Sequence, residues 1–252
     1  MAVLITGASS GIGEACARLF AGARQNLVLI ARRKERLLQL KHELASTYGI
    51  AVHTFELDVR DREKLSQLID QNQEIFGQVD TLINNAGLAK GLEPIQNGHL
   101  EDWDVMIDTN IKGLLSMTRA FLPQMIAQGK GHIINLGSVA GHWVYEKGNV
   151  YCATKFAVHA LTEALRLDLR GTGIRVTEIS PGMVATEFSE VRFDNKERGN
   201  SVYAGKTPLT PNDVAETILW CVQRPAHVNI QEIVLFPTEQ VGVHGTPQDR
   251  KK

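Results

Sequence analysis

Seven short β-branched or aliphatic runs, near 2–6, 26–31, 51–56, 79–84, 131–137, 173–179 and 230–236, alternate with helical patterns. Those patterns lie near 11–23, 33–47, 61–76, 101–128, 150–170 and 212–223. Such alternation predicts βαβ units, because a strand can join its neighbour in parallel only after a crossover, most often a helix. With 252 residues, 43% of them hydrophobic, and no linker to divide them, the chain can bury one large core. The expectation is one α/β domain over 1–252 with a seven-stranded parallel sheet and helices on both faces.

Charge and composition exclude several functions. The formal net charge is -1 and no long run of Lys or Arg occurs, so the electrostatic footprint of a nucleic-acid partner is missing and a small-molecule partner is expected. The start Met1–Gly7 is too short, and lacks the basic flank, for a secretory signal, and no eighteen apolar residues run together. A soluble protein without a membrane partner is expected. Cys16, Cys152 and Cys221 are odd in number and lack metal-ligand spacing. They suit reduced, buried thiols in a cytoplasmic enzyme, with no metal site.

The first strand runs into Thr6-Gly7-Ala8-Ser9-Ser10-Gly11-Ile12-Gly13 and then into a helix. Glycines here permit a tight turn and let backbone amides approach a pyrophosphate, while the helix N-terminus supplies unpaired N–H groups and a favourable dipole. No Lys-Ser/Thr pair follows, which disfavours an NTP-hydrolysing loop. The site predicted is that of a Rossmann-like, doubly wound dinucleotide-binding domain. The second strand ends in Arg32-Arg33-Lys34 rather than in the acid that would accept from a ribose 2′-hydroxyl. Arg32 and Arg33 therefore read as a clamp for the 2′-phosphate of NADP, or else as a solvated helix start. Asp58-Val59 after the third strand is placed at the adenine edge. Asn84-Asn85-Ala86-Gly87 after the fourth is either a turn packed against adenosine or a structural turn.

Tyr151 and Lys155 stand four residues apart on one predicted helix face, and Ser138, thirteen residues before the tyrosine, closes the apolar run His132–Ser138. A phenol titrates near ~10, and a neighbouring ammonium favours its ionised form. Lys155 is thus expected to lower Tyr151 toward a pH at which it exchanges protons with an alcohol or ketone, while Ser138 holds the same oxygen. The segment near 183–208 lacks periodicity and follows a strand end, where open α/β sheets bind ligands. It reads as a mobile lid or as an irregular surface connection.

Together, Thr6-Gly7-x-x-x-Gly11-x-Gly13, Asn84-Asn85-Ala86-Gly87, Asn110, Ser138, Tyr151-x-x-x-Lys155 and Pro181-Gly182 resemble, in order and separation, the short-chain dehydrogenases/reductases. The resemblance covers essentially the whole chain. It implies that Tyr151 is the acid/base, that Ser138 orients the substrate oxygen, and that Lys155 binds nicotinamide ribose and lowers the tyrosine pKa. It also implies that Asn110 interrupts a long helix and anchors a water leading to Lys155. Pro181-Gly182 would turn beneath the nicotinamide carboxamide, making Met183, Val184 and Thr186 cofactor neighbours.

A narrower likeness, carried by Gly87-Leu88-Ala89, Glu93-Pro94, Glu101-Asp102-Trp103, Met106–Asn110, Thr186-Glu187-Phe188, Val191-Arg192-Phe193 and Pro225–Ile230, is to NADP-dependent 3-hydroxy acid dehydrogenases. That group includes serine or L-allo-threonine 3-dehydrogenases and malonic semialdehyde reductases. It implies a substrate carboxylate, for which Arg192 is the candidate partner, unless Arg192 pairs with Glu187 or Glu190. The chain departs from the pattern at His142–Lys147, on the approach to the site. The alternative functions are a reductase of bulkier ketone or acyl substrates and a non-catalytic NADP-sensing protein. A homotetramer follows from the resemblance, and Met106, Leu114, Met117 and Phe121 on more than one helix face suit either core or interface.

Overall fold

The computed structural model describes residues 1–243, apart from the side chain of Asn200; the end of the expected domain, 244–252, lies outside the described residues. Its strands are β1 (Ala2–Thr6), β2 (Asn26–Ala31), β3 (Val52–Glu56), β4 (Val79–Asn84), β5 (Gly131–Leu136), β6 (Ile174–Pro181) and β7 (Glu232–Leu235). They form one parallel sheet in the order β3-β2-β1-β4-β5-β6-β7, so the winding reverses between β1 and β4. β6 extends beyond the expected 173–179 because Ser180 and Pro181 still pair with Val234 and Leu235. β7 is shorter than the expected 230–236, since only Glu232–Leu235 has a partner in that register.

Alternate residues of each strand face opposite layers. Val3, Ile5, Leu27 and Leu29 pack with Phe20 of α1 (Gly11–Gly22) and with Leu37, Leu40 and Leu44 of α2 (Lys34–Tyr48). Ala2, Leu4, Val28 and Ile30 face the other way, among Leu65 of α3 (Arg62–Gln71) and Phe76 of α4 (Gln73–Phe76). The helix expected over 61–76 divides because Asn72 Nδ2 turns back to the Leu68 carbonyl at 2.8 Å, a local alternative to helical hydrogen bonding.

The helix expected over 101–128 is also divided, into α5 (Leu100–Ile107) and α6 (Leu114–Gln128), by a π-helical turn at Asp108–Gly113. α7 (Asn149–Asp168) follows. The aperiodic stretch holds α8 (Phe188–Phe193) and α9 (Lys196–Ser201), each too short to show a helical period. α10 (Pro211–Val222) begins at a Thr210–Asp213 capping box with Pro211 in its first turn, and its Val214, Ile218 and Cys221 complete the α1 layer. Met106, Leu114, Met117 and Phe121 are all buried within the subunit, so they carry packing; the exposed large apolar side chains on α6 and α7 are Leu115, Ile126, Phe156 and Leu167. Cys16, Cys152 and Cys221 are free and buried. No helix among the described residues is long and apolar enough to cross a membrane.

Candidate active site

A cavity of about 340 Å³ opens at the strand C-termini, spanning the reversal point between β1 and β4. Gly7, Ser9, Ser10, Gly11 and Ile12 form one wall. Gly7 and Gly11 adopt φ of +66° and +56°, which L side chains rarely adopt. Gly13 does not line the cavity: a Cβ there would lie 2.4 Å from the Gly7 carbonyl oxygen and 2.5 Å from Asn85 Nδ2. Its role is to let α1 press against the turn. Ser10, the N-cap of α1, makes no side-chain cap, so the first-turn amides lack the usual hydroxyl acceptor. Uncapped amides beside a glycine cradle fit a pyrophosphate.

At the end of β2, Arg32 and Arg33 face the same cavity. Arg33 donates to Ser9 Oγ at 3.1 Å and to Ser10 Oγ, and its Nη1 is 2.7 Å from Glu187. Arg36, in the first turn of α2, also meets Glu187 at 2.7 Å. Glu187 is therefore the partner of Arg33 and Arg36, not of Arg192. Partial burial would raise its pKa, but the hydrogen bonds from Arg36 and Arg33 prevail and hold it at about 2. Among the described residues Arg32 makes no ion pair. This cationic edge, with no carboxylate at the end of β2 itself, fits the extra phosphate of NADP.

Asp58 and Val59 line the cavity, but Asp58 is bound through both oxygens by Arg60 at 2.7–3.1 Å, which leaves its carboxylate committed. Asn84 is structural: its amide joins Thr118 and Asn135, each at 2.9 Å, beneath the sheet end. Asn85 Nδ2 donates to the Thr6 carbonyl at 2.8 Å, while the Asn85 and Ala86 amides donate to Thr6 Oγ1. The second turn is thereby pinned to the first, with Asn85, Ala86 and Gly87 exposed to the cavity. Pro181, Gly182, Val184 and Thr186 form the far wall. Met183 does not line it; its N–H donates to Gln240 Oε1 at 2.7 Å and its carbonyl accepts from Leu209.

Ser138, Tyr151 and Lys155 meet at the closed end. Ser138 is the extended residue after β5 and N-caps a short 3-10 turn, Val139–Gly141, through Ala140 N–H at 3.1 Å. Tyr151 and Lys155 project from the first turns of α7. Asn110 lies in the π-helical turn, where Nδ2 donates to the Leu88 carbonyl at 2.8 Å and to Thr154 Oγ1 at 3.0 Å, and Oδ1 accepts from Leu88 N–H. The wider turn aims Asn110 across to α7, and a Cβ on Gly87 would lie 3.2 Å from Asn110 Oδ1 and 3.7 Å from Lys155 Nζ.

Electrostatics here depart from the sequence expectation. Burial pushes the Tyr151 hydroxyl well above its usual range; a hydrogen bond with Ser138 and the charge of Arg192 act against that rise. Lys155 Nζ instead donates to the Leu136 carbonyl at 2.8 Å and lies 6.0 Å from the Tyr151 ring centre. Desolvation lowers Lys155 to about 8 despite the opposing charge of Glu178. Lys155 thus lies over the Tyr151 ring while its hydrogen bond goes to the end of β5.

Arg192, on α8, brings its charge to the same phenol. Its guanidinium lies 5.6 Å from the Tyr151 ring centre and 5.4 Å from that of Tyr145. Nε donates to the Gly91 carbonyl at 2.9 Å and Nη1 to Tyr145 Oη at 2.8 Å, leaving Nη2 without a partner among the described residues. Gly91 N–H returns a bond to the Arg192 carbonyl at 3.0 Å, tying the 183–208 segment to the loop after β4. Neither Glu187 nor Glu190 pairs with Arg192. Tyr145, and Phe188, whose ring lies 5.5 Å from Tyr151, were given no site role in the sequence, although Phe188 helped to carry the narrower likeness. Both sit in stretches without periodicity, and only the departure at His142–Lys147 pointed toward Tyr145.

A sequence model of the family described as short chain dehydrogenase matches residues 1–197. The chain is 49% identical over 240 residues to sulfoacetaldehyde reductase 2 of Chromohalobacter salexigens, covering 94% of each. It is 48% identical over 242 residues to NADP-dependent 3-hydroxy acid dehydrogenase YdfG of Salmonella typhi, covering 95% of this chain and 96% of that one. Among solved structures, a closed serine dehydrogenase complexed with NADP+ superposes with a TM-score of 0.91 at 45% identity, covering 95% of this chain and 96% of that one.

Proposed function

The chain belongs to the short-chain dehydrogenase family, and on that premise we propose that it is an NADP-dependent oxidoreductase acting on a small 3-hydroxy acid of the serine, allo-threonine or 3-hydroxypropionate type. Bound NADP supplies or accepts the hydride at its nicotinamide. The chain's own residues bind the cofactor, hold the substrate and move the proton. Gly7, Ser9, Ser10, Gly11 and Ile12 take the pyrophosphate, with Gly13 keeping α1 close. Arg32 and Arg33 take the 2′-phosphate. Asp58, Val59, Asn85, Ala86 and Gly87 flank the adenosine half, and Pro181, Gly182, Val184 and Thr186 the nicotinamide half. Tyr151 takes the hydroxyl proton during oxidation and returns it during reduction, Ser138 donates to the same oxygen, Lys155 holds the nicotinamide ribose and keeps Tyr151 poised, and Asn110 anchors a water that leads to Lys155.

The observation that carries the substrate class is Arg192, a cation beside Tyr151 with an unpartnered Nη2. A guanidinium so placed suits a substrate anion, and a sulfonate as in the sulfoacetaldehyde reductase relative has matching chemistry. Its charge also favours the phenolate that oxidation requires. The 183–208 segment, which bears Arg192 and the Glu187 contact to Arg33 and Arg36, is read as the substrate lid of a single domain. Assembly as a cytoplasmic homotetramer belongs to the same reading, supported by the family and by exposed Leu115 and Phe156.

Initial rates with NADP and with NAD test the proposal across L-serine, L-allo-threonine, 3-hydroxypropionate, 3-hydroxyisobutyrate and hydroxyethanesulfonate, beside uncharged alcohols of equal size. NADP-linked turnover favouring the anions is expected. Equal or better turnover of uncharged or bulky substrates would overturn the substrate class.

A further inference from the structure

Behind the active-site strand ends, four side chains from four separate elements converge: His142 after the 3-10 turn, His159 on α7, Glu178 on β6 and Glu232 on β7. One ligand atom from each lies within 4.8 Å of all the others. Glu232 Oε1 is 2.6 Å from His142 Nε2 and 3.9 Å from His159 Nδ1, and Glu178 Oε2 is 3.0 Å from His159 Nδ1. Glu178 is fully buried. Despite its short approach to His142, the shielded Glu232 Oε1 accepts no hydrogen bond among the described residues. His159 Nδ1 is hydrogen-bonded to Glu178 Oε2 at 3.0 Å and His142 Nε2 to Ser180 Oγ at 3.4 Å, which leaves Glu232 Oε1 as the buried acceptor of the cluster that no N–H or O–H among the described residues satisfies.

We infer that His142, His159, Glu178 and Glu232 form a binding site for one divalent transition-metal ion of the zinc type. Two imidazoles and two carboxylates are a donor set that suits zinc. Tetrahedral zinc with bonds of about 2.0–2.1 Å places its ligands about 3.4 Å apart, inside the spread of spacings seen here. The surroundings support the first ligands as metal sites require. Ser180 Oγ donates to Glu178 Oε1 at 3.0 Å, fixing the buried carboxylate. Gly137 leaves it room: a Cβ there would stand 2.1 Å from Glu178 Oε1. Gly137 adjoins Ser138, so the ion would brace β6, β7, α7 and the catalytic strand end together. It would also offset the Glu178 charge that Lys155 feels.

Untagged full-length protein, stripped with a chelator and then dialysed against micromolar zinc, is assayed for metal by mass spectrometry and for thermal unfolding. The inference expects one zinc per chain and a rise in Tm. In His159→Ala and Glu232→Gln, neither of which is assigned a part in the reaction, it expects the apparent zinc affinity to fall by at least ten-fold and the Tm rise to be lost with it. The wild type failing to retain zinc would overturn the inference, as would stoichiometric zinc with unchanged affinity in the folded Glu232→Gln variant. The latter result would locate the metal elsewhere.

Discussion

Replacing Arg192 by alanine separates the two roles assigned to it. Its guanidinium is half-buried between Tyr145 and Tyr151, where a charge-assisted hydrogen bond contributes about 1.5–3 kcal/mol. Its loss predicts a fall in kcat/KM of about ten- to one-hundred-fold for 3-hydroxypropionate, at about 1.4 kcal/mol per factor of ten. Propan-1-ol, which lacks the carboxylate, loses less. The second role is electrostatic. Arg192 lowers the pKa of the Tyr151 hydroxyl, so without it the pH at which oxidation reaches half its maximal rate moves upward. Arg192→Lys, which keeps the charge but loses the planar fork, retains most of that pH position while losing affinity for the acid. Steady-state rates between pH 6 and 10 with both substrates are the assay. Alanine also removes the donors to Gly91 and Tyr145, so a purely structural loss is a distinct outcome. Equal losses for acid and alcohol, with an unmoved pH profile, would refute the reasoning.

Three further perturbations follow from individual contacts. Gly13→Ala drives a Cβ into the Gly7 carbonyl; overpacking of about 2 kcal/mol is expected, seen as a Tm lower by about 5 °C together with weaker NADPH binding by fluorescence titration. Glu187→Gln removes the carboxylate that competes for Arg33 and Arg36, so NADP binds more tightly while NAD binding is unchanged in the same titration. His132 is held at about 3 by burial against an ordinary value near 6.5, so the unfolded chain takes up a proton that the folded chain refuses. Its contribution is intact above about pH 6.5 and declines as pH falls toward about 3; at pH 5 the loss is about 2 kcal/mol, which urea unfolding of wild type against His132→Gln measures.

The strands and most helices were legible because aliphatic runs and helical periods are local signals, and the glycine turn, Tyr151, Lys155 and Ser138 carry their spacing in the sequence. The break within 61–76 was not, and the one within 101–128 showed only through the resemblance at Asn110. Asn72 ends α3 by bonding back to the Leu68 carbonyl, and the π-helical turn at Asp108–Gly113 is a difference of one hydrogen-bond register without a compositional mark. Charge partners were the least legible. Arg192 lies 101 residues from Gly91, and Arg33 lies 154 from Glu187, so only the fold brings them together. The same holds for His142, His159, Glu178 and Glu232, which share no motif. The burial of Tyr151, which pushes its hydroxyl up against the charges around it, was equally out of reach of spacing alone.

Tyr151→Phe tests the central claim most directly, because it deletes one oxygen from a packed site and leaves the ring against Phe188. NADPH titrations and rates of NADPH formation from a 3-hydroxy acid are measured on the same preparation. The account predicts cofactor binding within a few-fold of wild type and turnover lower by about 10²–10⁴-fold, the range of positioned acid–base catalysis. Near-normal turnover with intact cofactor binding would contradict it.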